Sequence, residues 1–582
     1  MGNRYAMLVG GSQALRDRIK DRAKACSLQH VTLNRAAILL FVEDVSAIVP
    51  IGAASVVLGA LYPADDTNPR AKLLSDLEPG ITRHRGAPLM QSCWGGYVAI
   101  LANAAAAGVD ILRAPFGELP CLYIRLEDAW LVVSDVAMIQ SLTGWSPEIA
   151  WDALARFLGA PDARRAETCL AGLSEIRGGD RLSLCGANAT VATLWSPWDH
   201  ADRTRQLVDA DEARQRLHET VMSCVAARGE GRAANVILLS GGLDSSILAA
   251  AAAAASLQTH CATVHTADPS GDERRYARLV AARTGQRLTE HSFDKTVVDL
   301  AKSGAAGLPR PVARAFEYEA RRQGESVATA NGARLIFSGG GGDNVFCSLR
   351  SITPLLDCLE APVGRSNFWG VAHDLSDMTG TSVVTIVRRT VLRLLHRSRP
   401  LPLDTDLRYL SADAVRLAMA APRHPWLDRP SHVPIGKGSH VALLLGTQGL
   451  TEDSDPQAAC ALLYPLLSQP VVELCLRIPT WCWFDNGHNR AVARHAFAQD
   501  LPREVIWRRS KGSPDSFVVE LYESNRALIR EMLMEGNLMS HGLLDRTSLA
   551  HSLNDSGPPK GEDHGRLMRL VDIEAWSRCW PG

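Results

Sequence analysis

Residues 235 to 251 read NVILLSGGLDSSILAAA, and this stretch decides the fold. The apolar run Asn235 to Leu239 predicts a buried strand, and the alanine-rich run after Ser246 predicts a helix. Ser240-Gly241-Gly242 between them makes a tight turn that delivers a strand into a helix N-terminus, where unbonded backbone N–H groups and the positive end of the helix dipole point outward. Such a turn binds anions. Gly241 and Gly242 let the backbone approach the ligand, while Ser240, Ser245 and Ser246 add hydroxyl donors. Asp244 is acidic inside a phosphate cradle, so a cation must lie between it and the phosphates; magnesium is the implied ion. The stretch is neither a Walker loop, since no Gly-Lys-Ser/Thr follows, nor a G-x-G-x-x-G fingerprint.

Outward from this loop, strands and helices alternate: a helix over 211–228, a strand at 260–267, a helix over 272–285 and a strand at 334–340. Buried strands separated by helices argue an α/β domain with a parallel sheet, on which ligands sit at the strands' carboxyl ends. The strand at 334–340 runs into Ser338-Gly339-Gly340-Gly341-Gly342-Asp343-Asn344, a second glycine-rich loop ending in a carboxylate. Asp244 and Asp343, each at a strand's end, are therefore the expected magnesium ligands. Asp272 and Glu273 read as caps of the helix they precede.

The first 200 residues differ. Apolar runs at 36–42, 93–101, 120–126 and 129–135, with a helical interval near 147–158, predict a β-rich α+β domain over 1–200. The polar, Pro-containing stretch 194–206 is the boundary, with Trp195 and Trp198 packing at the junction, and a second domain runs over 207–582. Residues 393–408, rich in Arg and Pro, read as a surface loop.

A formal net charge of −1, from 62 basic and 63 acidic residues, excludes a global field toward nucleic acid or an anionic membrane. No run of apolar residues is long enough for a membrane span, so the expected location is the cytoplasm. Thirteen scattered cysteines without a C-x-x-C pair read as reduced thiols.

The first loop resembles that of ATP pyrophosphatases, which split ATP to AMP and pyrophosphate. With both loops in hand the chain resembles the asparagine synthetase family, whose synthetase domain carries S-G-G-L-D-S-S and S-G-E-G-S-D-E. Arg490, Arg494 and Leu501-Pro502 match its K-x-x-L-R…L-P pattern, Arg509-Ser510-Lys511 its R-x-K with a catalytic lysine, and Tyr464-Pro465-Leu466-Leu467 stands at its V-P-F-L. In the first half, 94–99, 113–117 and 133–135 are similar to glutaminase motifs. The resemblance implies an Ntn-hydrolase-like β-sandwich of α+β class followed by an α/β ATP-pyrophosphatase domain of the adenine nucleotide alpha hydrolase type. It further implies ATP as cofactor, with Leu238 and Val264 on the adenine side, Ser338-Gly339 against the nucleotide, and Lys511 stabilising developing negative charge.

Departures from the family narrow the reading. Gly2 stands where the glutaminase nucleophile, a cysteine, is needed, so that half is expected to be degenerate and ammonia not to be the nucleophile. Gly340 replaces both the family's glutamate and the tyrosine of β-lactam synthetases, which is expected to open room for a bulky substrate. The chain is therefore expected to be an AMP-forming ligase similar to lasso peptide cyclases: it activates an Asp or Glu side chain of a ribosomal precursor peptide and lets the peptide's own amine close a macrolactam. Its expected partners are that peptide, a leader-peptide-recognition protein and a cysteine protease. A β-lactam-type synthetase, an ammonia-fed amidotransferase and a nucleotide-binding pseudoenzyme are the rivals. Tyr464 is the least arbitrary general base, while His488 and His495, seven residues apart, are expected to share one helical face.

Overall fold

The computed structural model describes residues 4–580, apart from 34–36, 65–69, 104–107, 232–233, 267–270, 362, 396–400, 402–404, 453–457, 510–514 and 555–562. Its first third is built on two six-stranded antiparallel sheets. One runs in the order 173–175, 122–126, 129–133, 5–10, 38–42, 29–31; the other 188–193, 180–185, 109–113, 97–102, 55–59, 48–51. Tyr5, Met7 and Leu40 of the first sheet meet Val98, Ile111 and Leu182 of the second in a common core. Alternate residues point outward and are covered as well: Ala6, Leu8 and Leu131 by the helices Gln13–Ala25 and Val136–Thr143, and Ala99 and Leu112 by residues 74–90. Four layers result, helix, sheet, sheet, helix, and strands buried on both faces explain why their sequences lack polar alternation. The run 93–101 is not one strand. Gly95, at φ +131°, breaks it into Cys93–Trp94 and Tyr97–Ala102.

The second unit is a five-stranded parallel sheet. Its strands are β1 (Asn235–Leu238), β2 (Thr259–His265), β3 (Arg287–Ser292), β4 (Leu335–Ser338) and β5 (Ala461–Leu463), in the order β3-β2-β1-β4-β5. Four helices accompany it: α1 (Ala210–Gly229), α2 (Leu243–Ala254), α3 (Arg274–Thr284) and α4 (Ala315–Ala330). α1 and α3 pack on α2, whereas α4 lies against β1, β2 and β4. From β1 the chain moves outward to β2 and β3, then returns to the other side for β4, so strand order reverses between β1 and β4. That switch point is where an open α/β sheet forms its ligand crevice. Sequence reading missed β3 and β5, because β3 is a polar edge strand and β5 spans three residues.

The last helices do not close on the parallel sheet. Leu521, Leu533, Leu567 and Trp576 share a core with Leu154 and Leu158 of the sandwich's outer helix layer. Trp576 Nε1 donates to Leu308 O at 3.0 Å, and the Trp151 and His541 rings stack at 3.6 Å. Trp195 lies edge-on to Phe116 and Trp426 and donates to Glu473 at 2.7 Å, tying the two units together. All thirteen cysteines are free, and no helix among the described residues is long and apolar enough to cross a membrane.

Candidate active site at the carboxyl ends of β1 and β4

The loop after β1 turns through Gly241, at φ +73°, where a Cβ would lie 2.7 Å from the Ala277 nitrogen of α3. No other residue fits that turn. The loop is braced internally: the Ser240 N–H donates to Ser245 Oγ at 3.2 Å and the Gly242 N–H to Ser240 Oγ at 3.3 Å. Ser245 and Ser246 each donate to the Gly242 carbonyl, at 3.3 and 2.7 Å, so both hydroxyls are turned back on the loop in this state. Asp244 falls in the first turn of α2 and is nearly buried.

The second loop docks on the first. A Cβ at Gly339 would stand 2.6 Å from the Ser245 nitrogen, and one at Gly342 2.5 Å from the Asp244 carboxyl carbon. This close approach, not flexibility, is what the glycine run provides. It brings Asp343 beside Asp244, and a single group joins them: Arg490 Nη1 lies 2.9 Å from Asp244 Oδ2 and 2.6 Å from Asp343 Oδ1. Burial opposes the Arg490 charge, but the two carboxylates outweigh it and hold its pKa above the ordinary arginine value. In this state a guanidinium stands between the carboxylates where sequence reading places magnesium. Among the described residues no group of three or more His, Cys, Asp or Glu forms a metal cluster.

A cavity of about 400 Å³ opens beside this clamp, lined by Gly242, Asp343, Arg350, Arg490, Arg508 and Arg509 among others. Arg508 stacks over Tyr276 at 3.9 Å and pairs with Glu273 at 2.6 Å, yet its Nε and Nη1 have no hydrogen-bond partner among the described residues. Arg490 Nε is orphaned in the same way. Buried guanidinium N–H groups without acceptors, next to a helix N-terminus, are a donor set short of a polyanion, and the phosphates of ATP fit it. Asp244 and Asp343 are the residues that would hold magnesium, which would neutralise charge on the phosphates. Glu273 occupies the N-cap position of α3 as expected, but its side chain makes no capping bond and instead holds Arg508. Asp272 does accept from the Arg274 N–H, and its bond to the Arg274 side chain pulls its pKa down to about 2. Lys511 lies outside the described residues.

On the other side of the β1–β4 crevice lies a cavity of about 510 Å³, whose walls include Leu238, Ser338, Gly340, Leu450, Leu462 and Tyr464. Leu238 stands in register with Ala262 of β2 and Ser338 of β4. Val264 lies two residues beyond Ala262, half-buried, and does not line the cavity. Both loops, Leu238, Ser338 and Tyr464 thus converge on one crevice.

The asparagine synthase family matches residues 216–578. The chain belongs to that family. The match places it among ATP-dependent ligases that form amide bonds, enzymes that use ATP and usually magnesium. No curated protein matches the chain. One solved structure, described as the allosteric regulatory enzyme of purine biosynthesis, is similar at 9% identity and a TM-score of 0.21, over 50% of this chain and 80% of its own. Glutamine phosphoribosylpyrophosphate amidotransferase from B. subtilis, in complex with ADP and GMP, is similar at 10% identity and a TM-score of 0.19, with the same coverage. At those scores neither likeness bears on the activity of this chain.

Two expectations about this family member need correction. Gly340 lines the larger cavity, but the place of the missing side chain is itself not empty, because the Tyr464 ring fills it: a Cβ there would meet Tyr464 Cε1 at 2.8 Å. The tyrosine at a position where the family carries valine has taken the volume of the family's glutamate. His488 and His495 do not share a helix either. His488 is in a two-residue strand, Arg490 turns the chain at φ +57°, and His495 follows in the helix Ala491–Ala496, paired with Asp485 at 2.8 Å. Residues 340 and 464 should therefore be coupled. Gly340→Glu alone is expected to cost ~1–3 kcal/mol of stability through overpacking, and Tyr464→Val in the same chain to recover most of it. Thermal unfolding of both single variants and the double variant measures this; additive losses would contradict it.

Sequence reasoning missed three contributors. Arg490 was legible as a motif position but not as the clamp of two aspartates, and Arg508 was hidden by its neighbour Arg509. Glu317 of α4, which lines the larger cavity, sits in a polar helix with no motif around it.

Proposed function

We propose that this protein is an ATP-dependent macrolactam-forming cyclase acting on a ribosomal precursor peptide. An Asp or Glu side chain of the peptide attacks the α-phosphate, pyrophosphate leaves, and an amine of the same peptide displaces AMP. The observation that carries this reading is the cavity of about 510 Å³ between Ser338, Gly340 and Tyr464, with Leu450 and Leu462 in its walls. A volume of that order takes a drug-sized ligand, and its wall joins apolar side chains such as Leu450 and Leu462 to the charged Asp299, Lys302, Arg314, Glu317 and Arg321, a mixture that suits a peptide segment lying beside the nucleotide at Leu238 and Ser338.

The residues divide by role. The turn at Gly241 and Gly242, with Arg490 and Arg508, binds and orients the phosphates. Leu238, Ser338 and Gly339 are assigned to the nucleotide. Tyr464, which packs against Gly340, is assigned as the base for the incoming amine, and holding amine and carboxylate in one cavity makes the second step effectively intramolecular, which is worth up to about 7–11 kcal/mol when well oriented. Lys511 is assigned to the oxyanion. The sandwich is read as a glutaminase-like domain without glutaminase activity, and a leader-recognition protein and a cysteine protease as partners.

Pyrophosphate release separates the readings. With ATP and magnesium, release is expected with linear precursor peptides bearing an internal Asp or Glu. Release that needs ammonium, or occurs with a small β-amino acid and no peptide, would assign the protein to the amidotransferase or the β-lactam-type reading instead.

A further inference from the structure

A third cavity, of about 560 Å³, lies between residues 156–177 of the sandwich and residues 417–425. It shares no lining residue with the two cavities of the crevice. Arg156, Arg164, Arg165, Arg177 and Arg423 line it, with Glu167 as the one acid in its wall. Four of these guanidiniums are already neutralised: Arg156 by Glu167 at 2.8 Å, Arg164 by Glu452 at 2.6 Å, Arg177 by Asp180 at 2.8 Å and Arg423 by Asp428 at 3.2 Å.

Arg165 is different. Its guanidinium makes no ion pair or hydrogen bond among the described residues, although it is half-buried; burial first, then the Arg156 charge, push its pKa down against a weaker opposing pull from Glu167. A partly desolvated cation without a direct partner is costly unless something occupies the space it faces.

His424 supplies an independent sign. It is 4% exposed and lines the same cavity. Its Nδ1 accepts the Trp426 N–H at 3.1 Å. Burial first, then the charges of Arg177 and Arg165, hold its pKa down to about 3, so the ring is neutral and the proton must sit on Nε2. That Nε2–H is buried and has no acceptor among the described residues. A lone cation and an unpartnered N–H donor thus share one cavity, whose remaining wall is Leu417, Ala420, Ala421, Pro422 and Pro425.

We propose that this cavity is a second anion-binding site, separate from the ATP cradle, which takes one carboxylate or phosphate group carried on an apolar body. One surplus charge matches one anionic group, and a planar guanidinium with an N–H beside it suits either oxyanion. The apolar wall discriminates against a bare ion.

Calorimetric titration of the full chain tests this, with magnesium and a non-hydrolysable ATP analogue in excess so that the cradle is filled. Phenyl phosphate, benzoate and inorganic phosphate are the probes. One of the two aryl anions is expected to bind at a single site more tightly than inorganic phosphate, and which one does identifies the ligand class. Arg165→Ala is expected to weaken that binding by about tenfold or more without lowering the melting temperature, since no internal partner is lost. His424→Phe, which keeps a ring against Trp426 but removes the donor, should weaken it too, and it serves should the first variant fail to fold. No binding of either aryl anion at roughly millimolar concentration, binding of inorganic phosphate as tight as theirs, or variants that bind as the parent does would overturn the proposal.

Discussion

Asp244→Ala is expected to abolish pyrophosphate release from ATP while leaving the protein folded. Asp244 is nearly buried in the first turn of α2, and its carboxylate is half of the pair that would hold magnesium. Removing it leaves Arg490 paired with Asp343 alone, so the clamp loses one carboxylate and the cradle gains net positive charge. ATP binding through the guanidiniums should survive better than its cleavage. The ion's contribution to the departing pyrophosphate is several kcal/mol, so the expected loss in rate is on the order of 10³-fold or more. The cost in stability is about 1–3 kcal/mol, the penalty for depriving a buried donor of one acceptor. Asp244→Asn keeps the volume and an acceptor but not the charge, and should be as inactive and more stable. Wild-type pyrophosphate release by either variant would remove Asp244 from the metal site.

Lys511→Ala should abolish product formation. Arg509 lines the cavity beside Asp343, and Lys511 is the second residue after it in the sequence. In the proposed mechanism this lysine is assigned to meet negative charge on phosphorus or on the tetrahedral oxyanion. A preorganised cation in that role is worth roughly 10²–10³-fold in rate. Lys511→Arg, with its different reach and planar head, should recover little. An alanine variant that forms product at the parental rate would refute the assignment.

Much of this was legible in sequence, and the reasons differ by element. The turn at 240–242 declares itself because a glycine pair between an apolar run and a helix former has few structural meanings, and Gly241 indeed adopts φ +73°. Asp244 and Asp343 were each readable as the acid closing a glycine-rich loop. That they meet was an inference from sheet topology, and the structure brings them together through Arg490. By contrast Arg490, 246 residues from Asp244, has no local feature that announces a charge clamp. Tyr464 was read as a substitution at its own position. Its consequence lies at Gly340, a contact between distant loops that no periodicity reports. The last helices illustrate the same limit. Their apolar faces predict burial but not a partner, and they bury against the sandwich rather than the sheet that precedes them in the chain.

In the proposed reaction ATP is spent to join a carboxylate and an amine of the same peptide. The direct measurement is to supply a precursor peptide whose acceptor Asp or Glu side chain carries 18-oxygen, together with ATP and magnesium, and to weigh both products. The predicted result is AMP carrying one labelled oxygen and a peptide lighter by one water, with a new internal amide and no nitrogen taken from ammonium in the medium. Unlabelled AMP, or a peptide that has gained an amide nitrogen from ammonium, would contradict it.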